Sequence, residues 1–385
     1  MAERVLRILV IGNLPPHVLG GAENQVARLV EAWLHAGMQI EVAGHRIPSG
    51  YQVLGGHEVR TYRLRPWAIG GRVGRSIGYM LSVAMLALRR RRAYDVVYCR
   101  GLGDGVLSLV VLKAIGICRW PVVVCPINAR GAGDVEFLRS VPGWRLWSRL
   151  VDRHVQAINL INAAIRNDLE AIGIRRPPLS RIPNGILVCP APVRMAVAVE
   201  RRLIWTGRLE KQKGLDLLLA ALEPCLHEGD RFRLDLYGEG KLRTALTMQV
   251  QTLGLNGRVY FHDAVSPVVV REHLLDSDVF VLPSRYEGMS NSALEAMEAS
   301  LPILCTHCGG IDTFIGDEAG WVCEPDSVAA LTDALRRMFR TSDTDLLARG
   351  SMARRLVEER FAMEHVATAN LDLLEQAAMT SRQRD

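Results

Sequence analysis

The sequence predicts an α/β protein built from two doubly wound, Rossmann-like domains. Three observations carry that expectation. Short apolar runs of strand length alternate with helix patterns, as in a mostly parallel sheet covered on both faces. The alternation stops at Pro183-Asn184-Gly185 and restarts at residue 203. The chain of 385 residues, nearly half of them hydrophobic, is also long for a single core. The expected division is an N-terminal domain over 1–185, a linker over 186–200 marked by Pro190 and Pro192, and a C-terminal domain over 201–360. A C-terminal helix over 361–385 is expected to pack back on the N-terminal domain.

Residues 6–12 form a near-continuous apolar run, as a strand buried on both faces requires. A glycine- and proline-rich loop leads from Asn13 into a helix over 22–36, and 38–43 repeats the strand pattern. Further strands are expected at 95–99, 121–126, 155–160 and 179–182, with helices at 76–92, 104–115, 144–153 and 162–172. The second half begins with a strand at 203–206, a loop to Gly214 and a helix through Leu222. Strands then fit at 232–237, 258–261, 278–282, 302–305 and 320–323, with a helix over 241–253 and a helical tail from Asp326 to about Ala378.

Arg4 and Arg7 precede only a short apolar stretch, so no secretory signal is expected. No apolar run reaches the ~20 residues that span a bilayer. Eight scattered cysteines in apolar contexts suit reduced core thiols in a cytoplasm. Cys305-Thr306-His307-Cys308 has no second Cys/His pair to complete a tetrahedral zinc site. Charge is divided unevenly. Residues 1–199 hold 26 Lys and Arg against 12 Asp and Glu, whereas the remainder holds 21 against 29. Nine arginines and no acid fall between Arg60 and Arg92, around Trp67 and the apolar stretch 77–88. That window fits peripheral contact with an anionic membrane, and equally a core helix with a solvated basic end. It lacks the interleaved aromatics of single-strand nucleic-acid platforms, so nucleic acid ranks last.

Open parallel sheets bind ligands beyond the carboxyl ends of their strands, so the loops after strands matter most. Two such domains face to face would enclose a deep cleft. After the strand at 278–282 comes Glu287-Gly288-Met289-Ser290-Asn291-Ser292-Ala293-Leu294-Glu295, opening a helix that Pro302 follows. A helix N-terminus carries unpaired N–H groups and partial positive charge, and small residues let phosphate approach. Carboxylates repel phosphate, so Glu287 and Glu295 fit hydroxyl groups on either side of it, as in a nucleotide sugar. The alternative is a capping box from Ser292 to Glu295, with Glu287 an ordinary loop acid.

The loop after 203–206 supplies Gly207, Arg208, Lys213 and Gly214. Arg208 and Lys213 suit a departing diphosphate that has no metal to neutralise it. Lysine is scarce, four against 43 arginines, which makes Lys213 conspicuous. A solvated loop with Glu210 pairing a neighbour is the alternative. Gly20-Gly21 opens the first helix, and Gly238-Glu239-Gly240 follows another strand. Both allow close ligand approach, and both also make ordinary turns. The Gly-x-Gly-x-x-Gly and Walker patterns are absent from the first strand–helix turns. Asp276-Ser277-Asp278 precedes a strand, the wrong end for a metal site, so no catalytic metal is expected.

Taken in order, Gly207-Arg208-Leu209, Lys213-Gly214, Gly238-Glu239-Gly240, Asp278 to Ser284, Glu287-Gly288, Leu294-Glu295-Ala296-Met297 and Gly309-Gly310 resemble the retaining family 4 glycosyltransferases of GT-B fold. Gly20-Gly21-Ala22-Glu23 and Ile182-Pro183-Asn184-Gly185 resemble that family's first-half markers. The resemblance spans nearly the whole chain. It implies metal-independent, configuration-retaining transfer of a hexosyl group from a nucleoside-diphosphate sugar, with no cofactor beyond that donor. The donor expected is UDP-linked, with guanosine the alternative base. Arg208 and Lys213 would hold the diphosphate, and Gly20, Gly21, Gly207 and Gly238 would admit the nucleotide. Glu295 would accept from the ribose. Glu287 would face the donor sugar, and the backbone of Gly288, Met289, Ser290, Asn291 and Ser292 would contact sugar or phosphate. The leaving phosphate would take the acceptor proton in a front-face attack.

The chain departs from the family where a histidine often follows the strand at 122–125. Asn128 and Arg130 stand in that loop instead, and His262-Asp263 replaces a common glycine. The acceptor implied is a glycan or lipid-linked molecule of cell-surface polysaccharide synthesis. The implied location is bacterial cytoplasm, peripheral on the inner face of the membrane. The rival readings are a catalytically silent binding subunit of the same fold, a sugar-nucleotide epimerase, and a dinucleotide oxidoreductase.

Overall fold

The computed structural model describes residues 5–18, 20–65, 71–128, 133–192 and 196–382; Trp67 and Arg130 lie outside them. The chain divides into two compact units, Met1–Gly185 with Met363–Asp385, and Ile186–Ala362.

The first unit runs β1 (Arg7–Ile11), α1 (Gly21–His35), β2 (Gln39–Gly44), β3 (Gly50–Leu54), β4 (His57–Arg63), α2 (Gly71–Arg89), β5 (Val96–Arg100) and α3 (Asp104–Ala114). It continues with β6 (Val122–Cys125), α4 (Asp134–Arg139), α5 (Trp144–His154), β7 (Ala157–Asn159), α6 (Ala164–Ala171) and β8 (Leu179–Ser180). These strands form one sheet in the order β3-β4-β2-β1-β5-β6-β7-β8. Every described pairing is parallel except β3 with β4. The central strands are buried on both faces, which is why they read as unbroken apolar runs.

The β3–β4 hairpin is absent from the sequence reading, which leaves residues 44–60 unassigned. Its signal is present nonetheless. Gly55 and Gly56 both have positive φ, +53° and +81°. A two-residue turn that follows the strand twist needs that geometry. The tail also differs from a single helical pattern. It consists of α11 (Val328–Phe339), α12 (Asp343–Leu356), a π-turn at Val357–Phe361, and α13 (Met363–Arg382). α13 belongs to the first unit, where the Trp33 indole on α1 donates to the Ala367 carbonyl at 3.1 Å.

The second unit begins with β9 (Arg201–Thr206), α7 (Leu215–His227), β10 (Phe232–Tyr237), α8 (Arg243–Thr252), β11 (Val259–His262) and α9 (Pro267–Leu275). β12 (Val279–Leu282), α10 (Asn291–Glu298), β13 (Ile303–Thr306) and β14 (Gly320–Cys323) follow, before α11. The sheet order is β11-β10-β9-β12-β13-β14, parallel throughout. The connection from β9 runs toward β10, and that from β12 runs toward β13. Their carboxyl ends therefore flank the switch point of the sheet, where ligands bind in open α/β folds.

Behind α10 a buried charge cluster ties the unit together. The Glu298 carboxylate accepts from Arg354 Nη1 at 2.8 Å, from Arg271 Nε at 3.2 Å and from the Cys189 N–H at 3.0 Å. Arg354 also donates to the Glu298 and Cys189 carbonyls and to Glu358. Removing one member strands the others in low dielectric. Arg354→Leu should therefore destabilise the second unit by about 3 kcal/mol in urea unfolding. A loss below about 1 kcal/mol, the scale of a surface ion pair, would contradict this reading.

Candidate functional site

Two loops leave the switch point of the second unit, Gly207 to Gly214 after β9 and Pro283 to Ser290 after β12. Their backbones approach closely. Gly214 has φ +66°, and a Cβ there would stand 1.9 Å from the Pro283 carbonyl oxygen. The Arg285 N–H donates to the Gln212 carbonyl at 2.8 Å, and Gln212 Nε2 donates to the Tyr286 carbonyl at 2.9 Å. Arg285 grips Asp216 through two hydrogen bonds of 2.8 Å and donates to the Lys211 carbonyl at 2.6 Å. The short helical turn Lys211–Lys213 is thereby locked onto the second loop.

That lock brings Lys213 to Glu287. Lys213 Nζ lies 2.6 Å from Glu287 Oε1, which also accepts from Ser284 Oγ at 2.7 Å. The Ser284 carbonyl in turn accepts from Thr306 Oγ1. The Glu287 side chain is buried and that of Lys213 nearly so. Sequence reasoning assigned these residues separate partners, diphosphate for the cation and hydroxyls for the acid, whereas in this structure they are partners of each other. Arg208 is placed differently. Its side chain is 71% exposed and its Nη1 lies 3.2 Å from Glu210.

Further strand-end loops hold the arrangement from either side. A Cβ on Gly238 would meet the Gly207 carbonyl oxygen at 1.8 Å, and Leu209 N–H donates to the Glu239 carbonyl at 2.8 Å. Across the site, the Glu287 N–H donates to the Cys308 carbonyl at 2.7 Å, and Gly310 packs on the Gly288 carbonyl. Cys305 and Cys308 are buried, which pushes both thiols well above their usual range. Among the described residues no three His, Cys, Asp or Glu side chains gather as a metal would require.

The start of α10 corrects the capping-box alternative. Its N-cap is Ser290, whose Oγ accepts from the Ala293 N–H at 3.3 Å and lies 3.0 Å from Ser292 Oγ. Met289 and Ser290 are buried, while Asn291, Ser292 and Glu295 are half-buried along the first turns. Glu298, one turn further, is the acid that the internal arginines consume.

In the same unit, a cavity of about 1050 Å³ runs over the face of β9 to β11. There the Tyr237 ring stacks between His262 and His273, with centroids 4.4 and 4.5 Å away. His262 Nε2 lies 2.7 Å from Asp235 Oδ1. Burial raises the Asp235 carboxyl, but hydrogen bonds from Arg233 and His262 outweigh it and hold the group below its ordinary range. His262, one of the departures from the family pattern, is thus engaged with its own sheet.

The first unit carries its own cavity of about 640 Å³ at the carboxyl ends of β1, β2 and β5, lined by His45, Arg46, Arg75, Tyr79, Arg100 and Asp104 among others. Burial, and then Arg46, push the His45 imidazole below its usual range. Gly20 and Gly21 start α1 in extended and helical backbone, with Gly20 as N-cap. Three residues here escaped the sequence reading. Asp134 pins the loops after β5 and β6, accepting from the Leu102 and Ile127 N–H groups at 2.6 Å and from Asn128 at 3.3 Å. Gln25 clamps Gly185 through two hydrogen bonds of 2.7 and 3.1 Å. Arg100 Nη2 donates to Asn184 Oδ1 at 2.7 Å. The Asn184-Gly185 marker therefore has an architectural basis, which only tertiary contacts reveal.

With that geometry in place, comparison with known proteins is direct. The model of the glycosyl transferases group 1 matches residues 200–341, and the glycosyl transferase 4-like domain matches residues 20–185. An uncharacterized glycosyltransferase of Methanocaldococcus jannaschii is 26% identical over 352 residues, covering 83% of this chain and 86% of its own. A glycogen synthase of Mycobacterium tuberculosis is 26% identical over 416 residues, 98% of this chain and 96% of its own. The structure of Anabaena HepE in complex with UDP superposes with a TM-score of 0.74 at 17% identity, covering 96% of this chain and 100% of that one.

Two predictions follow from the loop lock. Gly214→Ala adds left-handed strain and a backbone clash, and should cost about 2–4 kcal/mol of stability in urea unfolding; an unchanged midpoint would refute the close approach. The second concerns pH. The hydrogen bond from Arg285 holds the Asp216 carboxyl below the usual range against the opposing pull of burial. A depressed carboxylate stabilises the fold above its unfolded pKa of about 3.9, and that contribution is lost as pH falls through the folded value. Asp216→Asn should therefore melt below wild type at pH 6, with the gap narrowing below about pH 4. A gap that stays constant across that range would count against the linkage.

Proposed function

The chain belongs to the glycosyltransferases of group 1, with GT-B fold, and from that premise we propose that it transfers a hexosyl group from a UDP-linked sugar to a glycan or lipid-linked acceptor, with retention at the anomeric carbon. The observation that carries the reading is the Lys213–Glu287 pair, a half-buried cation and a buried carboxylate 2.6 Å apart at the switch point of the second unit. UDP is the ligand of Anabaena HepE, solved also with UDP and glucose, and that similarity supports the choice of base. The rival with a physical basis is a silent member in which this pair is purely structural.

In the proposed reaction the diphosphate draws Lys213 and the exposed Arg208 fork toward its oxygens. Charge that develops as the bond from the anomeric carbon to the diphosphate oxygen breaks is then met by fixed cations, with no metal needed. The acceptor hydroxyl attacks from the same face, forms the new C–O bond, and passes its proton to the leaving phosphate. Lys213, shared with the diphosphate, leaves Glu287 to accept from donor-sugar hydroxyls and to steady positive charge at the anomeric centre. Glu295 accepts from the ribose. In the second unit the backbone from Gly288 to Ser292 and the glycines Gly207 and Gly238 allow sugar and phosphate close approach, and in the first unit Gly20 and Gly21 leave the start of α1 open in the same way. The cavity beside Arg46 and Arg75 in the first unit takes the acceptor. The work belongs to cell-surface glycan assembly on the inner face of a bacterial membrane.

The test is a screen of nucleotide sugars for hydrolysis and thermal stabilisation, with and without EDTA. UDP-sugars should stabilise the protein, and turnover should survive the chelator. Silence toward every donor, or strict dependence on a divalent ion, would sink the proposal. Lys213→Ala should lower turnover on the order of 10²–10³-fold, as loss of a charge-stabilising donor does. Glu287→Gln should lower turnover more than UDP affinity, and Glu295→Ala should weaken UDP binding. If the pair is only structural, Lys213→Ala and Glu287→Gln will lower the melting temperature and leave turnover per folded molecule intact.

A further inference from the structure

We propose that α2 and α5 of the first unit form a docking surface that seats the protein on an anionic lipid bilayer, with apolar side chains inserted between the headgroups. The inference rests on the lipid-linked acceptor reading above for its purpose, and on the following geometry for its substance.

A helix inside a core buries its apolar residues. α2 does so with Val83, Leu86 and Ala87, yet Ile77, Leu81, Met85 and Leu88 are 44, 46, 51 and 59% exposed. Their spacing of four, four and three places them on one stripe of the helix. Contiguous exposed apolar surface of this kind marks an interaction site. α5 reinforces it. Both helices pack against α3, which is itself almost wholly buried. α5 exposes Leu146, Arg145 and Arg149 and carries half-buried Trp144 and Trp147. The Arg145 guanidinium lies 5.3 Å from the centre of the Trp144 ring. Tryptophan and arginine beside leucine is the chemistry of the headgroup layer.

Charge selects the occupant. No acid falls between residues 59 and 94, and the arginine run 89–92 closes α2. The one acid on α5, Asp152, is engaged by Arg176 at 3.3 Å and by two backbone N–H groups. A second copy docked face to face would set these basic rims against each other. An anionic leaflet neutralises them. Not all the arginines are available: Arg60 stacks on Tyr51 and Tyr62, and Arg90 donates to the Tyr62 hydroxyl. On its other side α2 lines a site, with Arg75, Ser76 and Tyr79 at the 640 Å³ cavity of the same unit. A lipid-borne acceptor would reach that cavity around the helix that rests on the bilayer.

The experiment is co-sedimentation of the full chain with vesicles of phosphatidylcholine alone or with about one-third phosphatidylglycerol, a surface potential of the relevant sign. Wild type should pellet with the anionic vesicles and not the neutral ones, and high salt should weaken binding several-fold without abolishing it. Leu81→Glu with Met85→Glu should reduce partitioning at least tenfold while melting like wild type, since both side chains are exposed. Failure of wild type to bind would overturn the proposal. So would binding of the double variant within twofold of wild type, or a wild-type dimer in the ultracentrifuge that the double variant dissolves. UDP stabilisation is measured on the same samples: vesicle binding without it leaves the surface standing and removes the transferase reading, and the converse removes only the surface.

Discussion

A methyl group on Gly214 would collide with the Pro283 carbonyl, and the arrangement of the candidate site follows from that closeness. Because the two backbones can touch, the Arg285 N–H reaches the Gln212 carbonyl and the Gln212 side chain reaches the Tyr286 carbonyl across the gap. Because those bonds fix the Lys211–Lys213 turn, the Lys213 ammonium reaches a buried carboxylate instead of solvent. The sheet supplies the precondition: β9 and β12 are neighbours whose connections diverge, so the loops at their carboxyl ends share a space that no crossover helix fills.

The same closeness sets the electrostatics. A half-buried lysine and a buried glutamate neutralise each other at a desolvation cost that a hydrophobic pair would avoid. Retaining such a pair makes physical sense where a ligand can exchange for one member. In the proposed reaction a diphosphate would compete for the ammonium, and the carboxylate it displaced would accept from hydroxyls. Arg208 is exposed and paired with Glu210, so its side chain is not part of the core.

Much of this was legible in the sequence, and the misses have a common cause. Strand runs at the sheet centres and the loops after them announced themselves through unbroken apolar stretches and glycines. Glu287, Lys213 and Arg208 stood out by residue type and position, but their pairing did not, since Lys213 and Glu287 lie 74 residues apart and meet only through the register of β9 with β12. Asp134, Gln25 and Arg100 were invisible for the same reason, being polar residues whose partners are distant backbone groups. The β3–β4 hairpin carries only a short local signal, Gly55-Gly56 between two strands whose residues are mostly exposed, which the strand–helix alternation does not contain. The apolar stretch 77–88 left core and surface undecided, because periodicity reports a helix face and not what covers it.

The placement of α13 bears on the order in which the chain becomes stable during synthesis. The second unit has all its residues once Ala362 emerges, whereas the first waits for residues made after the whole of the second. Until then Trp33, whose indole donates to Ala367 and whose ring meets Tyr98 edge-on at 5.4 Å, lacks its cover. The half synthesised first is thus the half finished last. A nascent chain would carry a folded second unit while the first sheet stays open, and loss of α13 would injure the amino-terminal unit while sparing the other.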